Sequence, residues 1–148
     1  MKAVIQRVLS ASVSVNGKEV GSINRGVLIL LGVAQEDAST DLDYMVTKTV
    51  GLRIFKDEHA NMNLSIKDVG GEALVVSQFT LCAETNKGRR PSFIAAAPPE
   101  IAYNMYQQYC KKLREENLSV QTGQFGSMME VKLINDGPVT IVLDSRER

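Results

Sequence analysis

Few side chains in this sequence could do chemistry, and each allows a plain reading beside a functional one. There is one histidine, His59, in the polar run Lys56-Asp57-Glu58-His59-Ala60-Asn61. A histidine base needs a nucleophile to serve and an acid to orient it. The local sequence offers neither, so His59 reads as a solvated loop residue. Ser77 and Thr80 stand where an apolar run turns polar, Val75-Val76-Ser77-Gln78-Phe79-Thr80. Either hydroxyl could be a nucleophile if a base activated it. Equally, Ser77, Gln78 and Thr80 could satisfy backbone groups at a strand end. Lys87-Gly88-Arg89-Arg90 is the densest positive cluster, suited to phosphates or to plain solvation. Gly137-Pro138 reads as a hairpin turn or a cis peptide. Cys82 and Cys110 match no metal or redox spacing and read as ordinary thiols. A catalytic zinc site takes about three protein ligands, which one His and two distant Cys do not supply. No metal or cofactor is expected.

The elements that must hold these residues can be outlined from periodicity. The chain has 148 residues, 44% hydrophobic and 23% charged, with 17 Lys and Arg balancing 17 Asp and Glu. This is the size and composition of a single globular domain, here residues 1–148. Zero formal net charge excludes a generally basic nucleic-acid coat; any nucleic-acid contact must be a local patch. Two cysteines suggest a reducing compartment. No apolar run reaches the roughly 20 residues of a membrane span. The expectation is a cytoplasmic protein with no membrane partner.

Lys2–Val8 and Ala11–Val15 read as strands, followed by the Asn16-Gly17 hairpin signal and a return strand over Lys18–Ile23. Val27–Ala34 is apolar throughout and should lie centrally. Ser39 or Thr40 caps a first helix ending near Leu52, with Thr40 and Asp43 as its capping pair. Lys56–Asn63 reads as a polar loop, Leu64–Val69 as ambiguous, and Gly70-Gly71 as a break. A strand begins at Glu72, and an irregular segment covers Cys82–Ala97. Pro98-Pro99 opens a second helix, whose apolar face is Ile101, Met105, Tyr106, Tyr109 and Leu113. Leu118–Gln121, Ser127–Asn135 and Val139–Leu143 are the last strands, the final two separated by a sharp break at Asn135–Pro138. Seven or eight strands joined mostly by hairpins predict an α+β, mostly antiparallel sheet.

Two segments go beyond periodicity. Ser77-Gln78-Phe79-Thr80-Leu81 and Asn135-Asp136-Gly137-Pro138-Val139-Thr140 resemble the two signature motifs of the D-aminoacyl-tRNA deacylases, also described as D-tyrosyl-tRNA deacylases. Ile5–Val8, Ala11–Val13, Leu52–Phe55, Met62–Leu64, Lys87–Phe93 and Gln121–Gly126 follow the same pattern in order, across nearly the whole chain.

The resemblance implies a barrel-like α+β homodimer that hydrolyses the ester of D-aminoacyl-tRNA, and of mischarged glycyl-tRNA, with a site near the subunit interface. Ser77, Gln78, Phe79, Thr80 and Leu81 would line the pocket. Gly137-Pro138, in cis form and from the partner subunit, would select against L-residues through two backbone carbonyls that read the α-amino group. Arg7 would hold that motif. Ala102 and Phe125 would lie near the terminal adenosine. Lys87, Arg89 and Arg90 would contact tRNA. Water attack helped by the ribose 2′-hydroxyl, with backbone N–H near Phe79 stabilising the oxyanion, would replace a Thr80 nucleophile. No DNA partner is implied. The alternative is a non-catalytic RNA- or nucleotide-binding module of the same fold. Aromatics at 5% with no Trp argue against it. A purely structural dimer would leave the polar break at Ser77–Thr80 unexplained.

Overall fold

A computed structural model of the chain describes residues 1–148. The strands are β1 (Lys2–Val15), β2 (Lys18–Ile23), β3 (Gly26–Gly32), β4 (Phe55–Lys56), β5 (Met62–Leu64), β6 (Glu72–Ser77), β7 (Ser119–Thr122) and β8 (Glu130–Asp144). The helices are α1 (Ser39–Gly51) and α2 (Pro99–Glu115), with a 3-10 turn over Phe79–Cys82. The apolar run of β3 lies centrally, in the sheet order β2-β1-β3-β6-β7, with β8 on β1.

The sheet is mixed, which corrects the mostly antiparallel expectation. β1 is antiparallel to β2, β3 and β8, but β3–β6 and β6–β7 are parallel. Parallel neighbours need a crossover connection. The two helices are those connections: α1 lies between β3 and β6, and α2 between β6 and β7. Hairpin signals mark the short links only; the helical crossovers are the long ones. The sheet also curls towards closure, since the Cβ position of Gly21 in β2 lies 2.6 Å from the Thr122 carbonyl oxygen of β7. Only a residue without a side chain permits that approach.

Alternation along the strands sorts side chains into two cores. Ala3, Ile5, Val27, Ile29, Leu31, Ala73 and Val75 face the helices, with Leu42, Met45, Met105, Tyr109 and Leu113. Leu28, Leu74 and Val76 point the other way and meet Val8, Ala11, Val13 and Ile23 inside the curl. β1 serves both. Its ladder with β8 is irregular between Gln6 and Val8 and between Val8 and Ser10. The second irregularity leaves Leu9 as an extra, half-exposed residue (53%) and restores Ala11 and Val13 to the inner face.

Other expectations are corrected. Glu130–Asp144 is one strand, not two separated by a break. Gln6 pairs with Thr140 and Val8 with Asn135, so Asp136–Val139 bulge from a continuous ladder. Met128 lies outside that strand and is 91% exposed. The polar loop Lys56–Asn63 belongs to a small β4–β5 hairpin. The Thr40/Asp43 cap is displaced: Asp41 accepts from the Ala38 N–H at 2.9 Å, three residues back. Ile101 is half-exposed; Ala102 and Cys110 take buried places on α2 beside Met105, Tyr106, Tyr109 and Leu113. Buried hydroxyls find partners, as buried polar groups must. Tyr109 Oη meets Thr49 Oγ1 at 2.6 Å between the helices, and Tyr106 Oη donates to the Val75 carbonyl at 2.8 Å.

Candidate active site

Because β3, β6 and β7 are parallel, their carboxyl ends emerge on one side, the usual place for ligand sites on parallel sheets. A cavity of about 830 Å³ opens there. Val33 and Gln35 follow β3. Ser77 ends β6, and Gln78 and Phe79 follow it. Phe125 to Met129 follow β7, and Ala102 comes from the first turns of α2. The segment before α2 forms the remaining wall and is pinned by backbone bonds, Gln35 N–H to Ala95 O and Ala97 N–H to Val33 O, both 2.9 Å. Asp37 anchors the segment after β3 to which that wall is bonded. One carboxylate oxygen accepts from the Ala34 N–H at 2.6 Å, and the other meets the Met1 ammonium at 2.6 Å.

No lining residue is ionisable. The rim is apolar, with Phe79 and Phe93 edge to face at 5.1 Å and Ile94 80% exposed. His59 is exposed in the β4–β5 loop, with Glu58 3.6 Å from its ring, and does not line the cavity. Thr80 and Leu81 fall outside the lining too; the Thr80 hydroxyl accepts from the Gln78 side-chain amide. Phe79 and Thr80 open the 3-10 turn, whose first closing bond is Leu81 N–H to Gln78 O at 3.2 Å. The first N–H groups of such a turn have no acceptor inside it. Nowhere do three His, Cys, Asp or Glu side chains converge as a metal ion would require. Cys82, buried at the end of the turn, has its thiol pKa pushed up by burial and then by the Asp37 charge, which opposes thiolate chemistry.

Arg7, Gly137 and Pro138 form a second cluster, outside the lining of the cavity in the same chain. The Gly137–Pro138 peptide is cis, and both residues are exposed at the tip of the β8 bulge. The bulge has lost its ladder partners, and side chains replace them. Asn135 Oδ1 accepts from the Val139 N–H at 3.0 Å, while its amide donates to Thr140 Oγ1 at 3.0 Å. Arg7 is buried beneath. Its Nε donates to the Asp136 carbonyl at 3.1 Å and faces the Asp136 carboxylate at 3.1 Å, and its Nη1 donates to Ile54 O at 2.5 Å. Gly137 has φ +130°, and a Cβ there would come within 3.0 Å of Arg7 Nη2.

Lys87, Arg89 and Arg90 lie on an exposed loop. Paired backbone bonds between Glu84 and Ser92, 2.8 and 2.9 Å, close it just before the rim residue Phe93. Sequence reasoning assigned no role to Phe93, Ile94, Met128 or Met129. The last two sat in a span read as strand. Adjacent methionines at Met128-Met129 are the available signal, and it is ambiguous without the fold, which exposes Met128 and packs Met129 against the inner core.

This is a curled, mixed-sheet α+β fold carrying one apolar, charge-free cavity at the carboxyl ends of its parallel strands. The profile of the D-Tyr-tRNA(Tyr) deacylase family matches residues 4–144, and the chain belongs to that family. A "D-aminoacyl-tRNA deacylase" of Desulfatibacillum aliphaticivorans is 55% identical over 146 residues, 99% of this chain and 100% of that protein. The solved structure of a "c-Myc DNA Unwinding Element Binding Protein" superposes with a TM-score of 0.92 at 43% identity, covering 97% of this chain and 98% of the other. A structure described as a probable eukaryotic D-amino acid tRNA deacylase shares the fold, with a TM-score of 0.79 at 20% identity over 96% and 97% of the two chains. No helix is long and apolar enough to cross a membrane.

Proposed function

We propose that the chain, acting as a single domain over residues 1–148, hydrolyses the ester between a D-amino acid, or mischarged glycine, and tRNA. The observation that carries this reading is membership of the deacylase family over residues 4–144. The cavity supports it. Its volume of about 830 Å³ suits the aminoacylated end of a tRNA, and its lack of ionisable side chains removes the protein's usual candidates for a general base.

On this reading, water attacks the ester carbonyl carbon and the ribose 3′-oxygen leaves, taking a proton. The vicinal 2′-hydroxyl is already held beside that carbon, so it assists without a protein base. The backbone N–H of Phe79 meets the oxyanion, and one such donor is worth roughly 3 kcal/mol. Ser77 and Gln78 complete that wall; Ala102 and Phe125 border the adenosine. Gly137 and Pro138 of a second copy reach the site and reject L-residues sterically, while Arg7 holds their bulge. The unpaired outer edge of β8, with Ile134 56% and Val142 72% exposed, supports an arrangement in which a second copy covers it. Lys87, Arg89 and Arg90 steer the acceptor end.

The test is deacylation of matched D-tyrosyl-, L-tyrosyl- and glycyl-tRNA in the presence of chelator. The expected result is loss of the D and glycyl esters with the L ester intact. Survival of all three esters with a folded protein would refute the reading. A non-catalytic RNA- or nucleotide-binding module of the same fold would then lead, a second reading in keeping with the nucleic-acid binding in the name of the 43%-identical structural relative.

A further inference from the structure

A second cavity, also about 830 Å³, runs along the outer face of α2 against the segment after β7. It shares Pro99 and Phe125 with the active-site cavity, so the two meet at one lip. Tyr103, Gln107, Lys111 and Arg114 line it from the helix. Their spacing of four, four and three residues puts them on one face, in a stripe about 16 Å long at the α-helical rise per residue. Its ends differ in chemistry. At the lip, the exposed ring of Tyr103 packs on Phe125 with centroids 5.1 Å apart. Farther along, both Lys111 and Arg114 reach solvent. Lys111 faces Glu115 at 3.8 Å, with both side chains more than half exposed. Such a loose pair leaves the ammonium free for another anion. Arg114 uses one nitrogen on the Val120 carbonyl at 3.1 Å and keeps its other donors. The acidic residue in the lining, Glu100, lies at the start of α2, away from the two cations.

We infer that this groove carries the single-stranded 3′ end of the substrate's tRNA as it leaves the active site, with a base stacked at Tyr103–Phe125 and phosphates meeting Lys111 and Arg114. The inference rests on the deacylase reading. An aminoacylated terminal nucleotide in the first cavity must continue as a polyanion through some exit. This is the one that begins at the shared lip with an aromatic platform and continues into positive charge, the combination that single strands favour. It is distinct from the Lys87–Arg90 loop, which is rooted beside Phe93 at another part of the rim.

The test is a salt titration of deacylated-tRNA binding to the wild type, Lys111→Glu, Tyr103→Ala and, as control, Lys48→Glu on the exposed face of α1. Because the probe carries no ester, binding is read independently of hydrolysis. Lys111→Glu is expected to weaken binding several-fold and to flatten the plot of log K against log salt by about 0.7 to 1. Tyr103→Ala is expected to weaken binding with the slope unchanged, and the control to match wild type. A parallel comparison of D-tyrosyl-tRNA with D-tyrosyl-adenosine should show Lys111→Glu losing kcat/KM selectively on the full tRNA. Wild-type affinity and slope in Lys111→Glu would overturn the groove assignment, as would equal losses on both esters. If the wild type binds tRNA through the groove yet cleaves no D-ester, the deacylase reading falls while the groove stands.

Discussion

Arg7 offers the sharpest test of how the β8 bulge is held. Its side chain is 3% exposed, while Asp136 beside it is 34% exposed. Replacement by Met keeps the stem and removes the guanidinium. The carboxylate of Asp136 regains water, so little is lost there. The Ile54 carbonyl, bonded at 2.5 Å in a buried setting, is left without a donor, at a cost of about 1–3 kcal/mol. The Asp136 carbonyl loses a charge-assisted bond, adding about 1.5–3 kcal/mol. Relief from burying a guanidinium offsets part of this. The net expectation is about 2–3 kcal/mol, or a fall in Tm of roughly 5–10 °C for a chain of this size. Arg7→Lys should lose less stability but not recover function, since one ammonium cannot span Ile54 and Asp136 as the planar fork does. Urea unfolding measures the stability, and paired D- and L-tyrosyl-tRNA assays below the transition measure the consequence. If the bulge presents the selective element, kcat/KM for the D ester should fall more than tenfold in Arg7→Met at unchanged fold. A variant within about 0.5 kcal/mol of wild type, the ordinary scatter of surface changes, would refute a clamping role for Arg7. A destabilised variant with intact rate and selectivity would leave Arg7 a structural residue only.

Gly137→Ala combines a positive φ of +130° with a Cβ 2.9 Å from the Val139 side chain and 3.0 Å from Arg7. It should cost about 1–3 kcal/mol and loosen discrimination between D and L esters, read in the same paired assay; a folded variant that still ignores the L ester would refute the role. Thr80→Ala should retain substantial activity, because its hydroxyl is engaged by Gln78 and no lining residue could serve as its base. Loss of several orders of magnitude in kcat at unchanged stability would restore a covalent nucleophile. The Ala38 N–H holds the Asp41 carboxyl down at about 2, below its ordinary 3.8, with Ser145 and Arg148 adding smaller contributions against burial. A depressed carboxylate stabilises the fold above its unfolded pKa and loses that contribution as pH falls through the folded one. Asp41→Asn should therefore be less stable than wild type at pH 7, with the difference shrinking between about pH 4 and pH 2 in urea titrations.

Local periodicity was enough to place most elements. The Asn16-Gly17 hairpin, the apolar β3, and both helices follow from residue spacing because each is decided by near neighbours. The two signature segments were also legible, and with them the family. Other features depended on contacts between distant residues. The parallel pairing of β3, β6 and β7 arises from two helical crossovers; the helices are legible locally, but the strand beside which each returns the chain is set by distant contacts, and that pairing determines that the cavity opens where Val33, Ser77 and Phe125 converge. The Asn135–Pro138 turn reads as a strand break in sequence because its own residues favour turning. In the fold, Gln6 and Val8 of β1 carry the ladder past it, and Asn135, steadied by Thr140, and Arg7 satisfy the backbone that the bulge exposes. Thr80 looked like a wall residue beside Ser77, but the 3-10 turn rotates it out of the lining. Residue type and order determined which chemistry was available; the tertiary structure decided which of those groups share a cavity, because that depends on side chains brought together across the chain.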